Sequence, residues 1–76
     1  MVRIIKVTVR EHYRLEVLLD NGTIVILNME PRLNSVRFMA LKEQAIFEQA
    51  ATDGQYIRWG SQVEISLGEV FHLAQK

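Results

Sequence analysis

The chain contains no cysteine, which excludes disulfides, thiolate nucleophiles and every cysteine-based zinc or iron-sulfur site. Histidine is also scarce, with only His12 and His72 present. These two residues lack a spacing such as His-x-x-x-His, which would place two metal ligands on one helix face. No segment gathers a nucleophile with a base, or a phosphate-binding loop. The sequence therefore predicts no catalytic, cofactor or metal site, and a protein that is not an enzyme.

Neither sign of charge is in excess, and no hydrophobic run is long. Nine basic and nine acidic residues cancel, so no global field attracts nucleic acid or a membrane surface. The apolar runs are far shorter than the roughly 18 residues that span a bilayer, and the first five residues are too few for a signal-peptide core. We expect a cytoplasmic protein that does not contact membranes.

The composition is that of a small folded protein. Apolar residues make up 49% of the 76 residues and charged residues 24%, which places the chain among globular domains and predicts a single domain over residues 1–76. A chain of this length buries only roughly 60 to 65% of the surface that its unfolded form exposes. Its core is therefore small, and a partner subunit would add stability.

The clearest local signal is the segment Asp20-Asn21-Gly22 between two aliphatic-rich runs. Asn-Gly supplies the two positive φ angles of a two-residue type I′ hairpin turn. If Asn21 and Gly22 are the central turn residues, strand alternation separates the flanking side chains into two faces. The predicted core face comprises Tyr13, Leu15, Val17, Leu19, Ile24 and Ile26, and the predicted opposite face Leu18, Val25 and Leu27.

Further strands and two helices are predicted around this hairpin. Residues 3–10 alternate as a half-buried strand with Ile5, Val7 and Val9 inward. Three- and four-residue spacings between 38 and 51 predict a helix of about 8 to 12 residues, anchored by Leu41 and Phe47. Residues 55–59 and 62–65 read as strands joined by a type II′ turn at Gly60-Ser61.

A capping box marks the start of the last helix. Ser66 stands three residues before Glu69, and Leu67, Val70, Phe71 and Ala74 follow at helical spacing. The fold class predicted from the whole chain is α+β. It is an antiparallel β-meander of about five short strands in two hairpins, packed with two short helices of which one is C-terminal.

The order of these motifs resembles the mostly bacterial family catalogued as domain of unknown function 2442. The motifs that carry the resemblance are Tyr13-Arg14-Leu15, Asp20-Asn21-Gly22, Leu41, Phe47, Ile57-Arg58-Trp59, Glu64-Ile65 and Val70-Phe71. Members often have aspartate where Asn28 and Glu64 stand here. The resemblance implies an α+β domain with an antiparallel sheet flanked by helices, and no established activity. Some relatives carry a helix-turn-helix extension or look like parts of small two-gene modules, which implies regulation.

Two functional hypotheses follow. The first is a protein-interaction module that acts as a homo-oligomer, most simply a dimer, or as part of a regulatory pair with a small protein partner. Three large aliphatic side chains on a face expected to be wet would form its contact surface, unless one of the protein's own helices covers them. These residues are Leu18, Val25 and Leu27.

The alternative is a nucleic-acid-binding regulatory component. Basic side chains that alternate on the outer face of the first two strands can track phosphates, and a fourth joins them if the second hairpin extends the same sheet. The residues are Lys6, Arg10, Arg14 and Arg58. Charged outer strands that discourage edge pairing account for the same residues without a ligand. Because aromatic residues free to stack on bases are few, the interaction module is the preferred hypothesis.

Overall fold

The computed structural model describes residues 2–75. Over these residues the chain forms six strands and two α-helices. In chain order they are β1 (Ile4–Arg10), β2 (Arg14–Leu19), β3 (Ile24–Asn28), α1 (Gln44–Phe47), β4 (Ala50–Thr52), β5 (Tyr56–Trp59), β6 (Val63–Ser66) and α2 (Leu67–Gln75). Short 3-10 helices occupy Glu30–Arg32 and Met39–Lys42. The predicted α+β class with antiparallel pairing and a C-terminal helix is confirmed.

The strands form two three-stranded antiparallel sheets, in the orders β1-β2-β3 and β4-β5-β6. β1 runs beside β4, where the Ile4 N–H donates to the Gly54 carbonyl at 2.9 Å. At the other side, α2 contacts both β3 and β6. The two sheets and α2 thus surround one core, which Trp59, Phe47 and several aliphatic side chains fill.

The first hairpin does not have the predicted two-residue turn. Leu18 pairs with Ile24, and the Leu19 N–H donates to the Thr23 carbonyl at 2.9 Å, so the loop has three residues. Gly22 takes a φ of 88°, whereas Asn21 does not adopt a positive φ. This is the arrangement of a turn followed by a glycine bulge. Asn21 instead uses its side chain, whose Oδ1 accepts the Thr23 N–H at 3.0 Å.

The extra loop residue reverses the two faces of β3. Because side chains alternate along a strand, a shift of one residue moves every side chain of that strand to the other face. Leu27 is 1% exposed and Val25 is half-buried, and both pack in the core. Ile24 and Ile26, predicted to lie inside, are exposed. The predicted faces of β3 are therefore wrong, whereas those of Leu15, Val17 and Leu19 on β2 are confirmed.

An irregularity in the β1–β2 register changes which side chains at the start of β1 face the core. The register shifts between Ile4 and Lys6, so that Ile5 is the extra residue of a bulge and is exposed. Ile4 takes its place in the core. Val7 and Val9 lie opposite Val17 and Leu15 and pack against the core as predicted.

The predicted helix between residues 38 and 51 is broken. A 3-10 helix over Met39–Lys42 and the short α1 are separated at Glu43, which has an extended ψ of 113°. Leu41 and Phe47 are both fully buried. Six residues apart on one continuous helix, they would point about 120° from each other, so the break allows both to reach the core. Ala50 and Ala51, which the helix prediction included, belong to β4.

The predicted capping box of α2 is confirmed. The Glu69 N–H donates to Ser66 Oγ, and the Ser66 N–H donates to Glu69 Oε1, each at 3.2 Å. Arg37 reinforces this helix start, because its guanidinium donates to both carboxylate oxygens of Glu69. Val70 is buried and Leu67 packs against the core, as predicted, but Phe71 and Ala74 are exposed. Leu73, which the sequence analysis did not place on the buried stripe, packs against the core.

Candidate functional site

The outer face of the first sheet carries the candidate site. On this face, cross-strand pairing aligns the side chains of β1, β2 and β3 in three rows. The rows are Lys6, Leu18 and Ile24, then Thr8, Glu16 and Ile26, then Arg10, Arg14 and Asn28. Aliphatic residues thus gather on the β2 and β3 side, and basic residues on β1 and beside the β1–β2 turn at residues 11–13.

We call Leu18, Ile24 and Ile26 the outer patch. Ile24 is 56% exposed and Ile26 is 52% exposed, while Leu18 is half-buried. Leu18 lies directly opposite Ile24, and Ile26 is two positions further along the same strand, so the three side chains are neighbours on one face. Single exposed aliphatic residues are ordinary on protein surfaces, but contiguous ones mark contact sites more often.

A shallow groove continues from the outer patch towards α2. Its volume is about 490 Å³. The lining residues are Ile26, Asn28, Pro31, Arg32, Leu73 and Ala74. Arg32 is the one charged residue in this lining, and it makes no ion pair or side-chain hydrogen bond within residues 2–75. The groove therefore combines apolar side chains with an amide and a cation.

Three of the four predicted nucleic-acid contacts share this face. Arg10 donates to Glu16 Oε1 at 2.8 Å, which neutralises its charge locally. Lys6 and Arg14 form no ion pair in the described part of the chain. The prediction that Lys6, Arg10 and Arg14 lie on the outer face of the first two strands is confirmed by the register.

Arg58 belongs to a different surface, because β5 is in the second sheet. Its guanidinium donates to Asp53 Oδ2 at 2.6 Å and to Glu64 Oε1 at 2.8 Å, and it covers the Tyr56 ring with 4.9 Å to the centroid. The conditional prediction that it joins the basic residues of the first sheet is wrong. Arg58 instead holds the β4–β5 turn against β6.

Asp53 is the most strongly perturbed carboxylate that the structure describes. Its Oδ1 accepts the backbone N–H groups of Gln55 and Tyr56, at 2.9 and 3.0 Å. These hydrogen bonds and the one from Arg58 stabilise the charged form, and they lower the pKa of Asp53 from 3.8 to about 2. Because each partner belongs to the same turn or strand pair, the shift indicates a structural role for Asp53.

The three predicted interaction residues are divided by the fold. Leu18 lies on the outer face as predicted, but Val25 and Leu27 belong to the core. The same register that buries them exposes Ile24 and Ile26, which a two-residue turn would place in the core. One signal was available: Leu27 is in phase with the apolar Met29, whereas Ile26 is in phase with the polar Asn28.

The aromatic side chains are mostly in the core. Trp59 is fully buried and its Nε1 donates to the Phe47 carbonyl at 3.1 Å, with the two rings stacked 6.2 Å apart. Tyr13 packs edge-on against Phe47 and donates its hydroxyl to the Lys42 carbonyl at 2.6 Å. The outer face of the first sheet has no aromatic residue among its three rows of described side chains.

No protein-family model, curated protein or solved structure matches this chain. The resemblance to domain of unknown function 2442 therefore stays a prediction. Within residues 2–75, no helix is long and apolar enough to cross a membrane. The same residues contain no group of three or more histidine, aspartate or glutamate side chains positioned to hold a metal ion.

Proposed function

We propose that this protein is a small non-enzymatic interaction module that binds a partner protein through the outer patch. The observation that carries the proposal is the pair of adjacent β-branched side chains, Ile24 and Ile26, that are more than half exposed on one strand. A partner that covers these aliphatic side chains stabilises the complex by roughly 25 cal/mol per Å² of apolar surface removed from water. Leu18 and the groove beside Ile26 extend the surface available for such a contact.

The local chemistry favours a protein over a nucleic acid at this face. A single-strand binding surface stacks bases on aromatic side chains, whereas the centre of this face is aliphatic. Arg10 is already paired with Glu16, and Arg58 lies on the other sheet. Lys6 and Arg14 alone make a small phosphate-binding surface. A cytoplasmic regulatory pair, in which this chain contacts a second small protein, fits the proposal.

The test compares two variants for capture of partner proteins. Ile24→Lys with Ile26→Lys places charge in the outer patch, while Val36→Lys adds charge at a site that is 89% exposed and outside it. Each protein is immobilised and exposed to an extract of its native host, and bound proteins are quantified by mass spectrometry. We expect the wild type and the Val36→Lys variant to retain the same partner and the double variant to lose it.

Circular dichroism and urea unfolding establish that both variants are folded, as expected for substitutions of exposed residues. A partner that the folded double variant retains in full contradicts the proposed surface. Capture of nucleic acid in place of protein, abolished by Lys6→Glu with Arg14→Glu, would favour the alternative function.

A further inference from the structure

We infer that the partner segment bound by the outer patch is aliphatic at its centre and acidic on its flanks. This inference rests on the proposed function and adds the chemistry of the partner. It is carried by the position of three basic residues around the patch. These residues are Lys6, Arg14 and Arg32, which we call the basic rim.

The basic rim has charge to offer because its members are not neutralised within the described chain. Lys6 is in the same cross-strand row as Leu18, and Arg14 is two positions from Glu16 along β2. No ion pair within residues 2–75 involves any of the three rim residues. Glu16 is the one acidic residue in the three rows, and it is already paired with Arg10 at 2.8 Å.

The rim residues flank the patch on two sides. Lys6 lies on β1 and Arg14 at the start of β2 beside the β1–β2 turn, while Arg32 lines the groove between Ile26 and α2. An aliphatic side chain of the partner can enter the groove beside Ile26 with a neighbouring carboxylate on the Arg32 guanidinium. Arginine binds carboxylates through two parallel hydrogen bonds, so this end of the site adds direction as well as attraction.

The same charges argue against a second copy of this chain as the occupant. In a twofold symmetric dimer the same surface meets itself, so each basic rim would lie near the other rim. Like charges brought together across an interface oppose association, and they are a common device against wrong partners. An acidic partner removes this repulsion and replaces it with attraction, while the aliphatic centre is buried in both cases.

The experiment selects binders from a library of random linear peptides displayed against the immobilised protein. We expect the selected peptides to be enriched in aspartate and glutamate next to aliphatic residues. The triple variant Lys6→Glu, Arg14→Glu and Arg32→Glu should bind them at least about tenfold more weakly, and added salt should weaken binding to the wild type. Lys42→Glu, an exposed charge reversal outside the rim, is the control and should leave affinity unchanged.

The outcomes separate this inference from the proposed function. Neutral or basic peptides that bind the wild type but not Ile24→Lys with Ile26→Lys would overturn the acidic partner and leave the binding surface intact. If the wild type sediments as a dimer and the same double variant as a monomer, the partner is a second copy of this chain. That result would also overturn the acidic partner and leave the binding surface intact. Peptides insensitive to both sets of substitutions, or the absence of any binder, would count against both proposals.

Discussion

Leu18 lies directly opposite Ile24 across the β2–β3 ladder, with both side chains on the outer face of the sheet. This pairing follows from a three-residue loop in which Gly22 has a φ of 88°. It determines that Leu27 is buried and that Ile26 is exposed. The register of one hairpin therefore decides which aliphatic residues stabilise the core and which are available to a partner.

Truncation of two neighbouring residues on β3 tests this register. Leu27→Ala should lower the free energy of unfolding by about 2 to 5 kcal/mol, because it leaves a cavity in a core where Leu27 is 1% exposed. Ile26→Ala removes an exposed side chain and should change stability by no more than about 0.5 kcal/mol. Urea unfolding measures both. A larger loss of stability for Ile26→Ala than for Leu27→Ala would contradict this register and favour the two-residue turn.

The conformation of Gly22 gives a second prediction. Gly22→Val should destabilise the protein by about 1 kcal/mol or more, because a β-branched residue resists a positive φ. A Cβ at this position has no heavy atom within 4 Å, so the cost comes from the backbone and not from a clash. Gly22→Asn is the matched control, since asparagine tolerates this conformation better. Equal unfolding midpoints for the valine variant and the wild type would contradict the turn described here.

The capping box predicts a local loss of stability at α2. Ser66→Ala removes the hydroxyl that accepts the Glu69 N–H and should cost about 0.5 to 2 kcal/mol. Ser61→Ala, in the exposed β5–β6 loop, is the control and should have little effect. Both are measured by urea unfolding. If the two variants unfold at the same urea concentration, Ser66 does not contribute a cap in solution.

Asp53 predicts part of the acid sensitivity of the fold. Its pKa is lower in the folded protein than the usual 3.8, so its contribution is present above pH 4 and is lost as the pH falls from about 4 to 2. Asp53→Asn keeps an oxygen for the Gln55 and Tyr56 N–H groups but removes the charge. This variant should be less stable at pH 7 and should lose less stability on acidification than the wild type does.

Urea midpoints at pH 7, 4 and 2 measure this effect. Asp20→Asn removes an acidic charge that forms no ion pair within residues 2–75, and it serves as the control for net charge. Identical acid dependence in the Asp53→Asn variant and the wild type would show that the hydrogen bonds of Asp53 do not persist in solution.

Short-range signals in the sequence predicted local structure well. Ser66 and Glu69 determine a helix start because their reciprocal hydrogen bonds join residues only three apart. Alternation identified β1 and β2 from side chains only two residues apart, and the glycine at position 60 marked the turn between β5 and β6. The prediction of one continuous helix between residues 38 and 51 was wrong. Helical spacing alone does not show that Leu41 and Phe47 must both reach one core from different directions. That requirement comes from tertiary packing.

The candidate site was harder to predict than the fold. Asn21-Gly22 is compatible with a two-residue turn and with a three-residue turn, and the choice between them reverses the orientation of every side chain on β3. Leu18 was placed correctly because β2 does not depend on the loop. The predicted positions of Ile24 and Ile26 were wrong because the orientation of side chains on β3 depends on the length of that loop. The groove near Arg32 depends on where α2 packs, which local sequence does not specify.

Site-specific photo-cross-linking in the native host reports directly whether a partner protein contacts the outer patch. A photo-activatable amino acid replaces Ile26 in the outer patch or Val36, which is more exposed but lies outside the patch, as the control, and the cells are irradiated. We expect a discrete cross-linked protein complex from position 26 and none from position 36. No cross-linked product from position 26, or the same product from both positions, would contradict the outer patch as the binding surface.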